Sequence, residues 1–179
     1  MLLNSWLRYA RLLPPRKRLE WYPPFRSMGV KLLELSDDGL EARIRLPLIR
    51  RNRNPGGSMF GGCMASLADP IPALACARLF PGYAVWTRSL AIDFLCEGRT
   101  DLELKFAFDH ALRDRIAGEL AEQGRSSPIF EYDYFLADGR RCARVRNRVA
   151  IRRLGYRTGG GALGRQGHAI VELDRRRRG

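Results

Sequence analysis

One short segment carries residue types that can stabilise a negative charge and supply a base. Gly61 and Gly62 stand where a loop rich in Arg, Asn, Pro and Gly meets a long apolar segment with helical character. At such a junction the unpaired N–H groups of the first helical turn and the positive end of the helix dipole suit an oxyanion or a phosphate. Because glycine has no side chain, another group can approach these donors closely. The pair predicts a place where negative charge is stabilised.

An acid, Asp69, interrupts the apolar segment eight residues further along. Because the helix is apolar nearly all round, we expect the carboxylate to be buried, a common arrangement for a catalytic base. Pro70 and Pro72 remove N–H donors, and Pro70 disfavours helical geometry at Asp69, so some kinking is expected there. Eight helical residues rise about 12 Å, too far for Gly61 and Asp69 of one chain to act on one carbonyl. We therefore favour a dimer that brings a second Asp69 opposite Gly61.

The residues from 54 to 69 also form a recognisable string. It reads Asn54-x-x-Gly57-x-x-Phe60-Gly61-Gly62 and continues to Ser66-Leu67-Ala68-Asp69. This string resembles the signature loop and helix of hotdog-fold acyl-CoA thioesterases of the phenylacetate-pathway (PaaI-like) type. Residues 87–95 are similar to the long strand that follows the helix in that family, and the resemblance covers about residues 28–152.

The resemblance implies a homodimer or homotetramer whose active sites lie between subunits and hydrolyse an acyl-CoA thioester without a cofactor or metal. Asp69 matches the acid that acts as general base or nucleophile, and Gly61 matches the glycine whose N–H polarises the thioester carbonyl. Asn54 matches the asparagine that helps to hold the carbonyl or the water. The positions assigned to substrate binding are Gly57, Phe60, Gly62 and Arg88.

One departure from the family pattern bears on activity. The family usually has His directly before the Gly-Gly pair, where this chain has Phe60, and the two histidines, His110 and His168, lie elsewhere. The Met-Phe-Gly-Gly variant is similar to an uncharacterised branch of the superfamily. Without the imidazole, the acid and the oxyanion donor remain. Thioester hydrolysis, acyl-CoA binding with weak or lost catalysis, and enoyl hydration are therefore all open.

The elements that must position these residues follow from periodicity. Alternation of apolar and polar residues predicts six strands at 30–35, 40–46, 83–96, 102–108, 130–136 and 143–151. One long buried helix is predicted over 59–79 and a short surface helix over 111–123. The fold class is α+β: a hotdog fold, with an antiparallel six-stranded sheet wrapped around one long buried helix.

The turn at Asp138 and Gly139 sets the register of the last two strands. It places Asp133 opposite Arg144 and Glu131 opposite Arg146, on the outward face. Opposite charges in cross-strand pairs stabilise a sheet, so part of the arginine content is expected to decorate this face.

The charge of the chain raises a competing function. Lys and Arg number 32 against 19 acids, a net charge of +13, which is typical of proteins that bind nucleic acid or anionic membranes. Residues 1–139 carry a net charge of only +2, however, and residues 140–179 carry +11. Much of the excess lies in a Gly- and Arg-rich tail, 153–179, so we expect no specific nucleic-acid partner, and polyanion binding through the tail is the alternative.

Three segments are predicted: an N-terminal helix and connector at 1–27, the hotdog domain at 28–152 and the tail. In the first segment an apolar stripe precedes Pro14 and Pro15, which we interpret as a helix stop. This stripe suits a helix packed on the domain or on a second subunit, an interfacial membrane anchor or a transit peptide. The four cysteines form no CxxC pair, so we expect free thiols. No transmembrane segment is expected because Asp69 and two prolines interrupt the longest apolar stretch, and a cytoplasmic location is the simplest interpretation.

Overall fold

The computed structural model of the chain describes residues 13–156. In chain order the helices are α1 (Pro15–Glu20), α2 (Pro23–Met28), α3 (Gly61–Ala68), α4 (Pro70–Leu79) and α5 (His110–Gln123). The strands are β1 (Lys31–Leu35), β2 (Glu41–Leu46), β3 (Tyr83–Phe94), β4 (Leu102–Ala107), β5 (Arg125–Ser126), β6 (Ile129–Phe135) and β7 (Arg141–Arg153). A short 3₁₀ turn covers Arg50–Asn52.

All strands join one antiparallel sheet in the order β1-β2-β4-β6-β7-β3, and the two-residue β5 also pairs with β7. The six predicted strands are confirmed, and β5 is an addition. The predicted hairpin register is also confirmed, since Asp133 lies opposite Arg144 and Glu131 opposite Arg146. These pairs are loose ion pairs, with N–O distances of 3.8 and 3.7 Å.

The core lies between one face of the sheet and the α3–α4 segment. Strands β4, β6 and β7 bury alternate residues against the inward faces of these two helices. The predicted surface helix appears as α5, which packs Ile116 and Leu120 onto the sheet. Its N-cap is Asp109, whose carboxylate accepts a 2.7 Å bond from the Leu112 N–H and so supplies a partner for one of the free donors of the first turn.

The long helix is divided at Asp69, but the expected loss of helical geometry there is wrong. Asp69 keeps right-handed helical angles, φ −46° and ψ −55°, and its N–H donates to the Ala65 carbonyl at 2.9 Å. The helix also begins at Gly61, two residues later than predicted. Pro70 is therefore the first residue of a second helical segment, α4. Proline is accepted in the first turn of a helix because the N–H groups there have no acceptor within the helix.

A side chain of the sheet replaces the N–H donor that Pro72 lacks, and two others bind the neighbouring Asp69 carbonyl. The Tyr132 hydroxyl donates to the Ala68 carbonyl at 2.7 Å. The Asp69 carbonyl accepts from Thr87 Oγ1 at 2.8 Å and from Asn147 Nδ2 at 3.0 Å. Burial raises the pKa of Tyr132 far above its ordinary range, so the hydroxyl stays protonated as a donor. The bond to Ala68 replaces the one that Pro72 cannot donate, and the bonds to Asp69 tie this part of the helix to the sheet.

The N-terminal connector differs from the prediction. The prolines at 15 and 23 begin short helices, whereas the sequence was interpreted as a stop followed by a connector. Glu20 at the end of α1 is buried, accepts the Leu32 N–H at 3.2 Å and pairs with Lys31 at 3.5 Å. Burial alone would raise the pKa of Glu20, but this bond and the nearby ammonium groups outweigh it and hold the pKa below its ordinary value.

The predicted apolar stripe of the first segment and most of the predicted tail lie outside the described residues, and the three segment boundaries stay predictions. All four cysteines fall within residues 13–156 and carry free thiols. No helix in this range is long and apolar enough to cross a membrane.

Candidate active site at the start of helix α3

Two free N–H groups open helix α3. Phe60 is the N-cap, and no side chain caps this end. The N–H groups of Cys63 and Met64 donate to the Phe60 carbonyl at 2.9 and 3.4 Å. Those of Gly61 and Gly62 have no acceptor within the described part of the chain. Two donors therefore remain available at the positive end of the helix, where an oxyanion is stabilised.

Aromatic rings cover both glycines. A Cβ added to Gly61 would lie 2.9 Å from Phe94 Cζ, and one added to Gly62 would lie 2.3 Å from Phe60 Cε1. Phe60 and Phe94 are themselves 53% and 57% exposed, although each packs closely on the helix backbone. The absence of a side chain at both positions lets these rings pack on the helix start, and they form an exposed apolar rim beside the two donors.

The loop before the helix is held by its own hydrogen bonds. Asn54 Nδ2 donates to Ser58 Oγ at 2.9 Å, and Asn54 Oδ1 accepts the Ser58 N–H at 3.2 Å. Gly57 turns this loop with φ at +82°, a left-handed conformation that favours glycine. Both residues therefore shape the loop beside the glycine pair, and a direct role of Asn54 on a carbonyl or water stays a prediction.

Asn52 is a residue that positions the site and that the sequence does not single out. Its side chain is fully buried, and Nδ2 donates to the carbonyls of Met28 and Pro47 at 2.7 and 2.8 Å. The main-chain carbonyl of Asn52 accepts the Phe60 N–H at 2.7 Å. Asn52 therefore ties the helix start to α2 and to the end of β2. Nothing in the run of arginines around it could have marked it as buried.

The expected burial of Asp69 is wrong for the single chain, where its side chain is exposed. The physical reason is that α3 and α4 bury only the face that packs on the sheet, including Leu67, Ala68 and Ile71. Because the path stays helical through Asp69, the separation from Gly61 along the axis is still about 12 Å. The structure therefore does not bring these two residues together within one chain.

An open sheet edge runs beside this site. Strand β3 pairs with β7 on one side, and its other edge faces no strand in the described structure. Trp86, Phe94 and Leu95 on or next to this edge are 40%, 57% and 56% exposed. A long edge with exposed apolar side chains is uncommon unless another chain covers it. Thr87 of the same strand donates to the main-chain carbonyl of Asp69, so Asp69 lies against this edge strand.

Arg88 occupies an irregular position in β3. Thr87 lies opposite Val149 and Ser89 opposite Arg148, so Arg88 is the extra residue of a bulge. It lines a groove with Arg146 and Arg148, which alternate with buried residues of β7 and so belong to the outer face of the sheet. Arg88 is therefore separated from Gly61 and Phe60. Among residues 13–156, no three His, Cys, Asp or Glu side chains gather as metal ligands.

Comparison with known proteins identifies the fold. The family model described as a domain of unknown function (DUF4442) matches residues 17–149. None of the curated protein sequences matches the chain. A crystal structure from Pseudomonas aeruginosa, described as a protein of unknown function and probable thioesterase, aligns with a TM-score of 0.69 and 20% identity, covering 78% of this chain and 96% of that one.

Two further structures agree. A thioesterase from Haemophilus influenzae aligns with a TM-score of 0.61 and 17% identity, covering 78% of this chain and 90% of its own. A mutant thioesterase from Pseudomonas aeruginosa aligns with a TM-score of 0.61 and 16% identity, covering 77% and 94%. The predicted hotdog fold is confirmed.

Proposed function

Given that the chain belongs to the DUF4442 family and has the fold of the thioesterases above, we propose that it hydrolyses an acyl-CoA thioester to free acid and CoA. The observation that carries this proposal is the pair of unused N–H groups on Gly61 and Gly62 at the positive end of α3. The thioester oxygen lies against them and gains negative charge as the carbonyl is attacked. Donors fixed in this way favour the transition state over the substrate.

Asp69 of a facing subunit supplies the base. It draws a proton from water, the water oxygen adds to the carbonyl carbon, and the C–S bond breaks as the tetrahedral intermediate collapses. The thiolate of CoA leaves and takes up a proton, so that acid and free thiol are the products. Attack by the carboxylate itself, followed by hydrolysis of the anhydride, gives the same products.

A homodimer formed through the β3 edge supports this arrangement. The separation of about 12 Å between Gly61 and Asp69 along one helix is too large for both to serve one carbonyl. Strand β3 with its unpaired edge contacts both parts of the site, since Phe94 packs on Gly61 and Thr87 donates to the Asp69 carbonyl. Covering this edge with a second copy would bury the apolar rim and complete two equivalent sites about a two-fold axis. Pairing of two such dimers into a tetramer is compatible with this proposal.

A second candidate is acyl-CoA binding without efficient turnover. The observation in its favour is Phe60, whose exposed ring stands on the rim of the site at the position where related enzymes have an imidazole. A phenyl ring can pack on an acyl group but cannot donate a hydrogen bond to it. Enoyl hydration requires the same carbonyl polarisation and is measured by the loss of absorbance of crotonyl-CoA.

The proposed hydrolysis is tested by measuring thiol release from a panel of acyl-CoAs in a neutral buffer without added metal. We expect turnover by the wild type and its loss in Asp69→Asn. The matched control is Asp93→Asn, an exposed acid of the same strand edge that lies opposite Arg144. Equal activity of wild type and Asp69→Asn would refute the assignment of the base. Binding of acyl-CoA without thiol release or hydration would favour the second candidate.

The interface is tested by mixing inactive subunits. Asp69→Asn is unfolded and refolded together with Gly61→Pro, which lacks the helix-start donor. If the donor and the base come from different subunits, the mixed dimer contains one intact site, and about a quarter of wild-type activity returns. If both act within one subunit, the mixed dimer contains none and activity stays absent.

A further inference from the structure

The outer face of strand β7 carries a row of arginines that differ in their partners. Arg141 and Arg144 pair with Asp133 at 3.2 and 3.8 Å. Arg148, by contrast, has no carboxylate within ion-pair distance in the described part of the chain, and the same is true of Arg88 in the β3 bulge. Two unpaired guanidinium groups thus stand side by side on one face.

A groove lies between these arginines. Across from Arg148 stands Ser89, and across from Arg146 stands Ala91, so small side chains face long ones along the β3–β7 pair. The bulge places Arg88 at the same groove, and Ile129 of β6 flanks Arg148 on its other side. The groove has a volume of about 310 Å³. Long cationic walls over a floor of small side chains leave room for a charged group.

The electrostatics of the groove favour an anion. Like charges on neighbouring strands destabilise a sheet. Of these three arginines, Arg146 alone forms an ion pair within the described residues, with the exposed Glu131 at 3.7 Å. An exposed pair at this distance offsets little of the repulsion. A bound anion would offset more, because a planar guanidinium donates two parallel hydrogen bonds to phosphate oxygens.

From this geometry we propose that Arg88, Arg146 and Arg148 bind the phosphate groups of a small phosphate-bearing ligand on the outer face of the sheet. The Ser89 hydroxyl is a further donor at the groove floor. The ligand is either the nucleotide part of a CoA thioester or a free phosphate metabolite, since both present the same chemistry. The site is separate from Gly61 and Asp69, and its existence does not depend on the proposed hydrolysis.

The test measures binding of adenosine 3′,5′-bisphosphate and of pyrophosphate by titration calorimetry at low and moderate salt. We expect the double variant Arg88→Gln/Arg148→Gln to bind about 10- to 100-fold more weakly than the wild type, because each lost charge-assisted hydrogen bond weakens binding. The matched control is Arg141→Gln/Arg144→Gln, which removes the same net charge from the same face outside the groove. It should keep wild-type affinity.

Two results overturn the proposal. One is equal weakening in both double variants, because the effect would then follow net charge alone. The other is absence of bisphosphate and pyrophosphate binding by the wild type while heparin binds, which would assign the arginines to a polyanion surface.

A kinetic arm distinguishes the two sources of phosphate. If the groove variant raises KM for an acyl-CoA but leaves KM for the matching N-acetylcysteamine thioester unchanged, the ligand is the nucleotide of the substrate. If the bisphosphate binds the groove and both KM values are unchanged in the variant, the ligand is a free phosphate. If the wild type hydrolyses no thioester, the proposed function is refuted. The calorimetry would still show whether the groove binds phosphate groups.

Discussion

Replacing Gly61 with proline and with alanine isolates the contribution of one backbone N–H. Gly61 is the first residue of α3, where proline is well accepted because its missing N–H is not used within the helix. The residue before it, Phe60, has φ −70° and ψ 123°, the extended conformation that a following proline prefers. Both replacements add the same Cβ, 2.9 Å from the tip of the Phe94 ring. That ring is 57% exposed and can turn away.

The expected magnitude follows from the number of donors at the site. Loss of one preorganised donor to an oxyanion lowers kcat about 10²- to 10³-fold, or about 2.7 to 4 kcal/mol of transition-state stabilisation. Since the Gly62 N–H remains in Gly61→Pro, we expect the lower end of that range. Gly61→Ala keeps the donor and should fall within a few-fold of the wild type.

The assay is steady-state thiol release, with kcat and KM determined separately for the wild type and both variants. Thermal unfolding of each protein checks that the proline variant is folded at the assay temperature. Similar kcat values for the alanine and proline variants, both folded, would refute the role of the Gly61 N–H. A loss confined to KM would show that the donor holds the substrate without favouring the transition state.

Three further predictions concern the scaffold. Tyr132→Phe leaves the buried Ala68 carbonyl without its side-chain donor and should lower the free energy of unfolding by about 1–3 kcal/mol, measured by urea unfolding. The control is Tyr83→Phe, which removes a longer bond of 3.4 Å and should cost less than about 1 kcal/mol. Asp109→Ala removes the α5 cap and should cost about 1 kcal/mol, with exposed Asp114→Ala as the neutral control; equal losses would refute the cap. Because its pKa is lowered on folding, Glu20 stabilises the protein fully above its ordinary value of 4.5 and progressively less as pH falls below it, so the stability difference between wild type and Glu20→Gln should shrink below pH 4.5. A difference that is constant from pH 7 to pH 3 would contradict this.

The parts of the fold that local pattern determines were predictable. The last hairpin follows from alternation on both sides of Asp138 and Gly139, a turn in which the left-handed Gly139 fixes the register. Gly61 and Gly62 were predictable as the loop-to-helix junction, within two residues of the observed helix start, because glycine there exposes donors. Local signals were sufficient in both cases because the determining residues are neighbours in sequence.

The parts that distant residues determine were not predictable. The helix is tied to the sheet at Asp69 by Thr87 and Asn147, 18 and 78 residues away, which donate to its carbonyl. The burial of Asp69 was predicted from an apolar helix, but periodicity alone does not say which face of a helix meets the sheet and which is left for a partner. The proline at 15 was ambiguous for another reason, since proline is found both after helix ends and in first turns.

The anchoring of the central helix to the sheet has a consequence for how the chain folds during synthesis. Three of its carbonyls accept hydrogen bonds from side chains that are synthesised 64 to 78 residues later. Tyr134 donates to Met64, Tyr132 to Ala68 and Asn147 to Asp69. A helix of eight residues without a side-chain cap has little stability in isolation. The segment at 61–79 should therefore leave the ribosome before it can fold, and its ordering must wait for the last hairpin. Contacts over such sequence distances favour slow folding, so this apolar segment is the part of the nascent chain that most needs protection from aggregation.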